Sequence, residues 1–128
     1  MTHMFRSADA FNQDLNSWNV SSVTSMRAMF NGADVFNGNI GSWNVSSVTN
    51  MGYMFLDADV FNQDIGSWDV SSVTNMIQTF READAFNQDL SGWCVDGIGS
   101  KPSSFDTGAN AWAGGTATRP QWGTCPGG

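Results

Sequence analysis

The residues of this chain that could take part in chemistry are small polar side chains that recur at a fixed spacing. One set of hydroxyl, amide and carboxylate groups repeats every 25 residues and comprises Ser17, Asn19, Ser42, Asn44, Ser67 and Asp69. Hydroxyl and amide groups both donate and accept hydrogen bonds, and an ionised carboxylate accepts them. They therefore predict a face that binds the backbone of a partner protein or a glycan. The alternative is a solvated face whose side chains hydrogen-bond among themselves.

A second set of oxygen-bearing side chains consists of aspartates that occupy one position of the same period. Asp14, Asp64 and Asp89 share this position, and Asn39 fills the intervening copy. Carboxylate oxygens suit Ca²⁺, so these three aspartates are candidate metal ligands, and Ca²⁺ is the one cofactor considered. Asp and Asn also close turns by accepting a backbone N–H two residues on. The turn role is the favoured interpretation.

Catalytic machinery is not expected from this sequence. His3 is the only histidine, which disfavours a histidine-based zinc site and a Ser-His-Asp triad. The carboxylates recur with the repeat instead of marking one asymmetric pocket. An enzyme would need such a pocket, and the expected place for it is the degenerate fourth repeat near Lys101 and Asp106. We predict a protein that is not an enzyme.

Composition and cysteine usage limit the classes of partner and compartment. The 128 residues carry a net charge of −7, which disfavours nucleic acid and anionic membrane surfaces as partners. No stretch is apolar and long enough to insert into a membrane. Cys94 and Cys125 are the only cysteines, and an isolated pair indicates one disulfide in a secreted or cell-surface protein. The alternative is two free buried thiols in a cytosolic protein.

The elements that position these residues follow from the 25-residue period. Large apolar residues recur in step, namely Phe11, Phe36, Phe61 and Phe86, and Trp18, Trp43, Trp68 and Trp93. Such a period is typical of a solenoid whose units bury their apolar faces by stacking. Alternation around Trp-x-Val predicts a short parallel strand, with the tryptophans in the core rather than serving as sugar platforms. The spacing of Val23, Met26, Met29, Phe30 and Ala33 predicts a short helical segment. The expected fold class is therefore an α/β solenoid, a right-handed leucine-rich-repeat-like coil.

The period also divides the chain. A repeat solenoid is expected over 1–112, with a partial first repeat at 1–10, full repeats from 11 and a decayed last repeat at 86–112. Residues 113–128 are expected to form a C-terminal capping tail. Met1, Met4 and Phe5 match the core positions of the following repeat, so the first turn lacks a polar cap. This predicts end-to-end assembly through these three residues, giving a homodimer or a filament.

The repeat carries a resemblance to a known family. The pattern Ile40-x-x-Trp43-x-Val45-x-x-Val48-x-x-Met51-x-x-Met54-Phe55-x-x-Ala58 resembles BspA-like leucine-rich repeats. The segment 61–76 resembles more closely the 25-residue variant found in mycoplasma-type lipoproteins and other surface proteins. The resemblance covers residues 1 to about 112. It implies a secreted or cell-surface module for adhesion or interaction, with no catalytic residues to transfer.

Overall fold

The computed structural model describes residues 1–126, which form 25-residue layers lying one on another. Backbone N–H groups of one layer donate to carbonyl oxygens of the next. Met26 donates to Asn50, Phe30 to Met54 and Gly32 to Leu56, at 2.8–2.9 Å. Within the described residues, the regular elements are a 3₁₀ helix at Gly115–Thr118 and isolated parallel bridges that join Ser25 to Asn50 and Asn50 to Asn75.

The predicted α/β solenoid with a strand and a helical segment in each turn is wrong, and so is the leucine-rich-repeat geometry. Turns at 41–42 and 46–47 leave only residues 43–45 between them, and these three residues form no backbone ladder with a neighbouring layer. The backbone N–H of Trp43 turns back to Ile40 in its own layer. The indole Nε1 of Trp43, rather than its backbone, bonds to the carbonyl oxygen of Leu15 in the preceding layer, at 2.8 Å.

The predicted helical segment is instead a run of turns. Met29 donates its N–H to Met26, and Ala28 at the third turn position has a φ of 55°. A positive φ at that position is the type II arrangement. Gly32 repeats it one turn later with a φ of 69°. These left-handed residues interrupt an α-helix and direct the N–H groups to the next layer instead of four residues back.

Columns of stacked aromatic rings form the core. Phe5, Phe30, Phe55 and Phe80 follow one another with centroids 5.4–5.7 Å apart. A second column of Phe11, Phe36, Phe61 and Phe86 has spacings of 5.8–6.0 Å. Within a layer the two columns approach to 4.2–4.4 Å. Trp43, Trp68 and Trp93 are buried beside them, which confirms the core interpretation for these three tryptophans.

Asparagine side chains form a ladder of hydrogen bonds along one edge of the stack, in addition to the backbone hydrogen bonds between layers. The Oδ1 atom of Asn12 accepts the backbone N–H of Asn37, Asn37 accepts that of Asn62, and Asn62 that of Asn87, each at 2.8 Å. Asn87 in turn accepts the N–H of Ala113 at 2.9 Å. Each amide oxygen therefore satisfies a backbone donor one layer further on.

The end of the stack is closed by the tail. The predicted disulfide between Cys94 and Cys125 is confirmed, with Cα atoms 4.0 Å apart, and the alternative of free thiols is wrong. The N–H of Leu90 donates to Thr118 at 2.8 Å, and that of Val95 to Thr124 at 2.9 Å. In the described part of the chain, no helix has the length and hydropathy needed to cross a membrane.

Replacing Gly38 with alanine is expected to lower the free energy of unfolding. A Cβ at this position would clash with the carbonyl oxygen of Gln13 and would lie 2.8 Å from the ring of Phe36. Overpacking of this kind costs about 1–3 kcal/mol. The measurement is the urea unfolding midpoint. Gly99→Ala is the matched control, because a Cβ there has no neighbouring atom within 4 Å; equal losses in the two variants would contradict the expectation.

Candidate functional site

The six predicted ligand-binding residues are all exposed and lie at the same positions of successive layers, forming what we call the polar face: Ser17, Asn19, Ser42, Asn44, Ser67 and Asp69. The Oδ1 atom of Asn19 accepts the backbone N–H of Ser21 at 3.1 Å and its hydroxyl at 2.7 Å. Asn44 accepts the same two groups from Ser46. In both cases the side-chain oxygen is used locally, so the amide N–H₂ remains without a partner among residues 1–126.

Asp69 continues this pattern in the third layer with a carboxylate in place of the amide. Its Oδ1 atom accepts the backbone N–H of Ser71 at 3.1 Å and the hydroxyl at 2.6 Å. These two hydrogen bonds, the hydroxyl first, hold the pKa of Asp69 below its ordinary value. The polar face therefore presents two amide donors followed by one ionised carboxylate.

The polar face also contains internal hydrogen bonds, as the alternative of a solvated face requires. The hydroxyl of Ser42 donates to Oδ1 of Asn16 at 2.6 Å, and the backbone N–H of Ser42 donates to the same oxygen at 3.0 Å. Ser42 is thus committed to the preceding layer. Among residues 1–126, the groups left for a partner are the hydroxyls of Ser17 and Ser67 and the unused polar atoms of Asn19, Asn44 and Asp69.

Replacing Ser71 with alanine is expected to raise the pKa of Asp69, measured by NMR titration. A depressed folded-state pKa contributes stability above the unfolded value of about 3.9, and this contribution disappears as the pH falls through the folded pKa. Ser71→Ala should therefore cost about 0.2–0.5 kcal/mol at neutral pH, because exposed charges are screened. The cost should shrink in acid. Ser46→Ala, beside the uncharged Asn44, is the control. A pH-dependent cost in that variant would contradict the assignment.

The three candidate metal ligands are turn residues in the structure. The Oδ1 atoms of Asp14, Asp64 and Asp89 each accept the backbone N–H two residues on, at 2.9, 3.0 and 2.9 Å, which confirms the turn interpretation. The three carboxylates lie in separate layers. Over residues 1–126 there is no cluster of three or more His, Cys, Asp or Glu residues that could hold a metal ion. The structure thus does not bring them together as a calcium site.

A further acidic row runs along the turn edge of the stack. Asp34, Asp59 and Asp84 are exposed in three successive layers. The pKa of Asp59 is raised, first by burial and then by the charges of Asp34, Asp84 and Asp57. This mutual repulsion makes the edge unfavourable for anionic partners.

The predicted assembly residues belong to the first layer but differ in exposure. Met4 is 51% exposed, whereas Met1 and Phe5 are partly buried and pack against the core. The ring of Phe5 stacks on Phe30 at 5.4 Å. The core prediction is wrong for Trp18, which is 38% exposed and adds further apolar surface to this layer.

A cavity of about 320 Å³ opens where the tail covers the last layer, and we call it the tail cavity. It is lined by Lys101, Asp106, Thr116, Arg119, Gln121 and Trp122, among others. It lies where the sequence places the pocket that an enzyme would need, near Lys101 and Asp106. The lining residues of the tail were not predicted, because a glycine-rich segment outside the period gives no periodic signal.

An ion-pair triad forms the polar wall of the tail cavity. Lys101 Nζ lies 2.7 Å from Asp106 Oδ1, and Arg119 Nε lies 3.1 Å from Asp106 Oδ2. Burial alone would raise the pKa of Asp106. The hydrogen bonds and charges of Lys101 and Arg119 outweigh burial and hold that pKa below its ordinary value. Asp106 is therefore an ionised, fully paired group.

A second cavity of about 260 Å³ lies on the run of turns near the first layer. Its lining includes His3, Arg6, Arg27 and Tyr53. The guanidinium of Arg27 lies 4.8 Å from the ring centroid of Tyr53. Within the described residues, neither arginine has a carboxylate within 4.0 Å, since the salt bridges found there involve Lys101 and Arg119.

Comparison with known proteins gives a family for most of the chain. The chain belongs to the family described as a mycoplasma protein of unknown function, DUF285, which matches residues 1–114. No curated protein and no solved structure matches the chain. The matched region contains the polar face and the second cavity, and it ends just before the tail residues that line the tail cavity.

Proposed function

We propose that this member of the mycoplasma family is a non-enzymatic, secreted or cell-surface interaction module that binds a protein or a glycan through the polar face. One observation carries the proposal. Three successive layers present, at one position, an exposed side chain with one polar atom left free: the amide N–H₂ of Asn19, that of Asn44, and Oδ2 of Asp69.

The local hydrogen bonds support binding because they fix these side chains in advance. Each side chain is held by two bonds to a serine two residues on, so little rotamer freedom remains to be lost when a partner binds. The layers repeat regularly beside this face, where the rings of Trp43, Trp68 and Trp93 follow one another at 6.4 Å, and the row thus presents polar groups at a regular spacing. Carbonyl or hydroxyl oxygens of an extended peptide or a glycan chain suit the two donors.

Charge and redox state support the rest of the proposal. The net charge of −7 favours neutral or basic partners. A disulfide persists in oxidising compartments outside the cytosol, which is consistent with secretion or surface display. The resemblance to BspA-like surface proteins supports this proposed function only. It does not extend to the fold, since the leucine-rich-repeat geometry is absent.

The test is binding of the full chain to a glycan array and to immobilised extracellular-matrix proteins. Asn44→Lys and Asp69→Lys are each expected to weaken binding at least about tenfold, which is about 1.4 kcal/mol. Asn110→Lys is the matched control, because Asn110 is exposed and lies away from the polar face. Loss of binding in the control alone, unchanged binding in both face variants, or no binding of the native chain would each contradict the proposal.

A second candidate function, end-to-end assembly, is favoured by the exposed apolar groups of the first layer. Trp18 is 38% exposed, whereas Trp43 and Trp68, at the same position in later layers, are each 4% exposed. In this alternative the first layer stacks on that of a second copy. Sedimentation across a concentration range should then show association that Met4→Asp abolishes and Val35→Asp, at a distant exposed valine, leaves intact. A monomer at every concentration would contradict assembly.

A further inference from the structure

We propose that the tail cavity is a second binding site, separate from the polar face, and that it takes a sugar bearing a carboxylate, such as a uronic acid residue. The groups that line the cavity and are free to meet a ligand carry this inference. They are the ammonium of Lys101, with the Nη2 atom of Arg119 beside it, one hydroxyl, one amide oxygen and an aromatic wall.

The cationic donor is Lys101. Its side chain is 54% exposed, and its ammonium contacts Asp106 at 2.7 Å. An ammonium has three donors, so two remain available to a ligand. Each oxygen of Asp106 already faces one cation. The wall carries two cations against this one carboxylate, so a charged group that binds there is an anion that approaches Lys101.

Arg119 holds the cavity together through its Nε and Nη1 atoms. Its Nη1 donates to the carbonyl oxygens of Trp112, Ala113 and Gly115 at 3.1, 3.2 and 3.0 Å. Its guanidinium also lies 4.3 Å from the ring centroid of Trp112. With Nε on Asp106, Arg119 fixes the last layer to the start of the tail and is a positioning residue.

The neutral polar groups suit the hydroxyls of a sugar. Gln121 uses its Nε2 atom on the carbonyl oxygens of Thr116 and Arg119, at 2.8 and 3.0 Å. Within the described chain, no donor contacts its Oε1 atom, and the Thr116 hydroxyl has no hydrogen-bond partner. The amide oxygen of Gln121 can accept a hydrogen bond, and the hydroxyl of Thr116 can donate and accept one. A ligand that carries hydroxyl groups therefore fits the cavity better than a purely apolar ring.

The apolar wall suits the C–H face of a sugar ring. Trp122 and Pro120 line the cavity, and the ring of Trp122 is wedged against Phe105 at 4.8 Å and 82°. This contact keeps Trp122 in place in the absence of a ligand. Aromatic walls with a few convergent polar groups are typical of small-molecule sites.

The disulfide and the family match set this site apart from the repeat. Residues 115–122 lie inside the loop that Cys94 and Cys125 close, so the wall of the cavity depends on an oxidised cystine. The same residues lie beyond the matched region 1–114. The site therefore forms where the closing segment meets Lys101 and Asp106 of the last layer, and the other layers do not contribute to it.

The experiment is an NMR titration of the full oxidised chain with glucuronic acid, glucose and benzoate, following the Trp122 indole N–H, which Trp122→Phe assigns. We expect glucuronic acid to shift this signal and to bind about tenfold more tightly than either glucose or benzoate. Lys101→Gln should remove the preference over glucose. It keeps the Arg119–Asp106 pair, so the tail should remain folded, as unchanged signals of the other indoles will show.

Matched controls separate this site from general charge effects and from the polar face. Arg27→Gln removes a positive charge elsewhere, and Asn44→Lys alters the polar face; both should leave glucuronic acid binding unchanged. Reduction of the disulfide should abolish it. No shift at Trp122, equal binding of glucose, equal binding of benzoate, or an equal loss in Arg27→Gln would overturn the proposal. Loss of polar-face binding in Asn44→Lys with retained glucuronic acid binding would show that the two sites are independent.

Discussion

Replacing Phe55 with alanine is expected to lower the free energy of unfolding by about 3–5 kcal/mol. Its side chain is 1% exposed. Its ring lies 5.7 Å from Phe30, 4.2 Å from Phe61 and 5.4 Å from Phe80. Backbone hydrogen bonds fix the spacing between neighbouring layers, so the layers cannot move together to fill the space that the missing ring leaves.

Urea denaturation with linear extrapolation measures this loss. Val35→Ala is the control, because Val35 is 42% exposed, and it should change stability by less than about 0.5 kcal/mol. Phe11→Ala, at a partly buried ring of the first full repeat, should fall between the two. A Phe55→Ala variant no less stable than Val35→Ala would show that the aromatic columns do not hold the layers together.

Removing the disulfide by the double substitution Cys94→Ser and Cys125→Ser is expected to cost about 3–4 kcal/mol. The bond closes a loop with a sequence separation of 31 residues, and a loop of that length gives this value in the chain-entropy model. Because the tail is covalently tied to the last layer, the loss should concentrate there. Hydrogen exchange should then increase at Leu90 and Val95, whose N–H groups bond to the tail.

The matched control for the disulfide is chemical reduction. A reducing agent should lower the stability of the native chain to that of the double variant and should leave the double variant unchanged. Uniformly faster exchange across all layers would mean that the bond stabilises the whole stack and not the last layer in particular. No difference on reduction would mean that the tail is held by its noncovalent contacts alone.

The sequence predicts the buried residues well and the backbone poorly. Phe36 and Trp43 recur with the period because each must cover its copy in the next layer, and this requirement is visible in the residue types. The spacing of Met26, Met29 and Ala33 fits a helix, but it fits a run of turns equally well. The residues with positive φ in the first of these turns are His3, Ala28, Tyr53 and Gln78, so no glycine signals that turn.

The candidate sites, like the fold, can be predicted from the sequence only in part. Alternation around Trp-x-Val places Asn44 on the outside, and this can be read from the sequence. Which atom of Asn44 is free depends on its bonds to Ser46, and only the structure shows that. The tail cavity is harder still to predict from the sequence. Thr116, Gln121 and Trp122 lie in a segment without the 25-residue period, so no pattern indicates that they come close to Lys101.

The asparagine ladder has a consequence for how such a chain can change length. The rungs from Asn12 to Asn87 each join a side chain to the same position one layer on. The last rung joins Asn87 to Ala113, which is 26 residues further on, so the ladder accommodates one extra residue at the end of the stack. Inserting or deleting a whole 25-residue unit re-forms every inner rung with identical partners. The protein therefore tolerates recombination between near-identical gene segments. The length of the stack can vary among descendants while the closing segment stays the same.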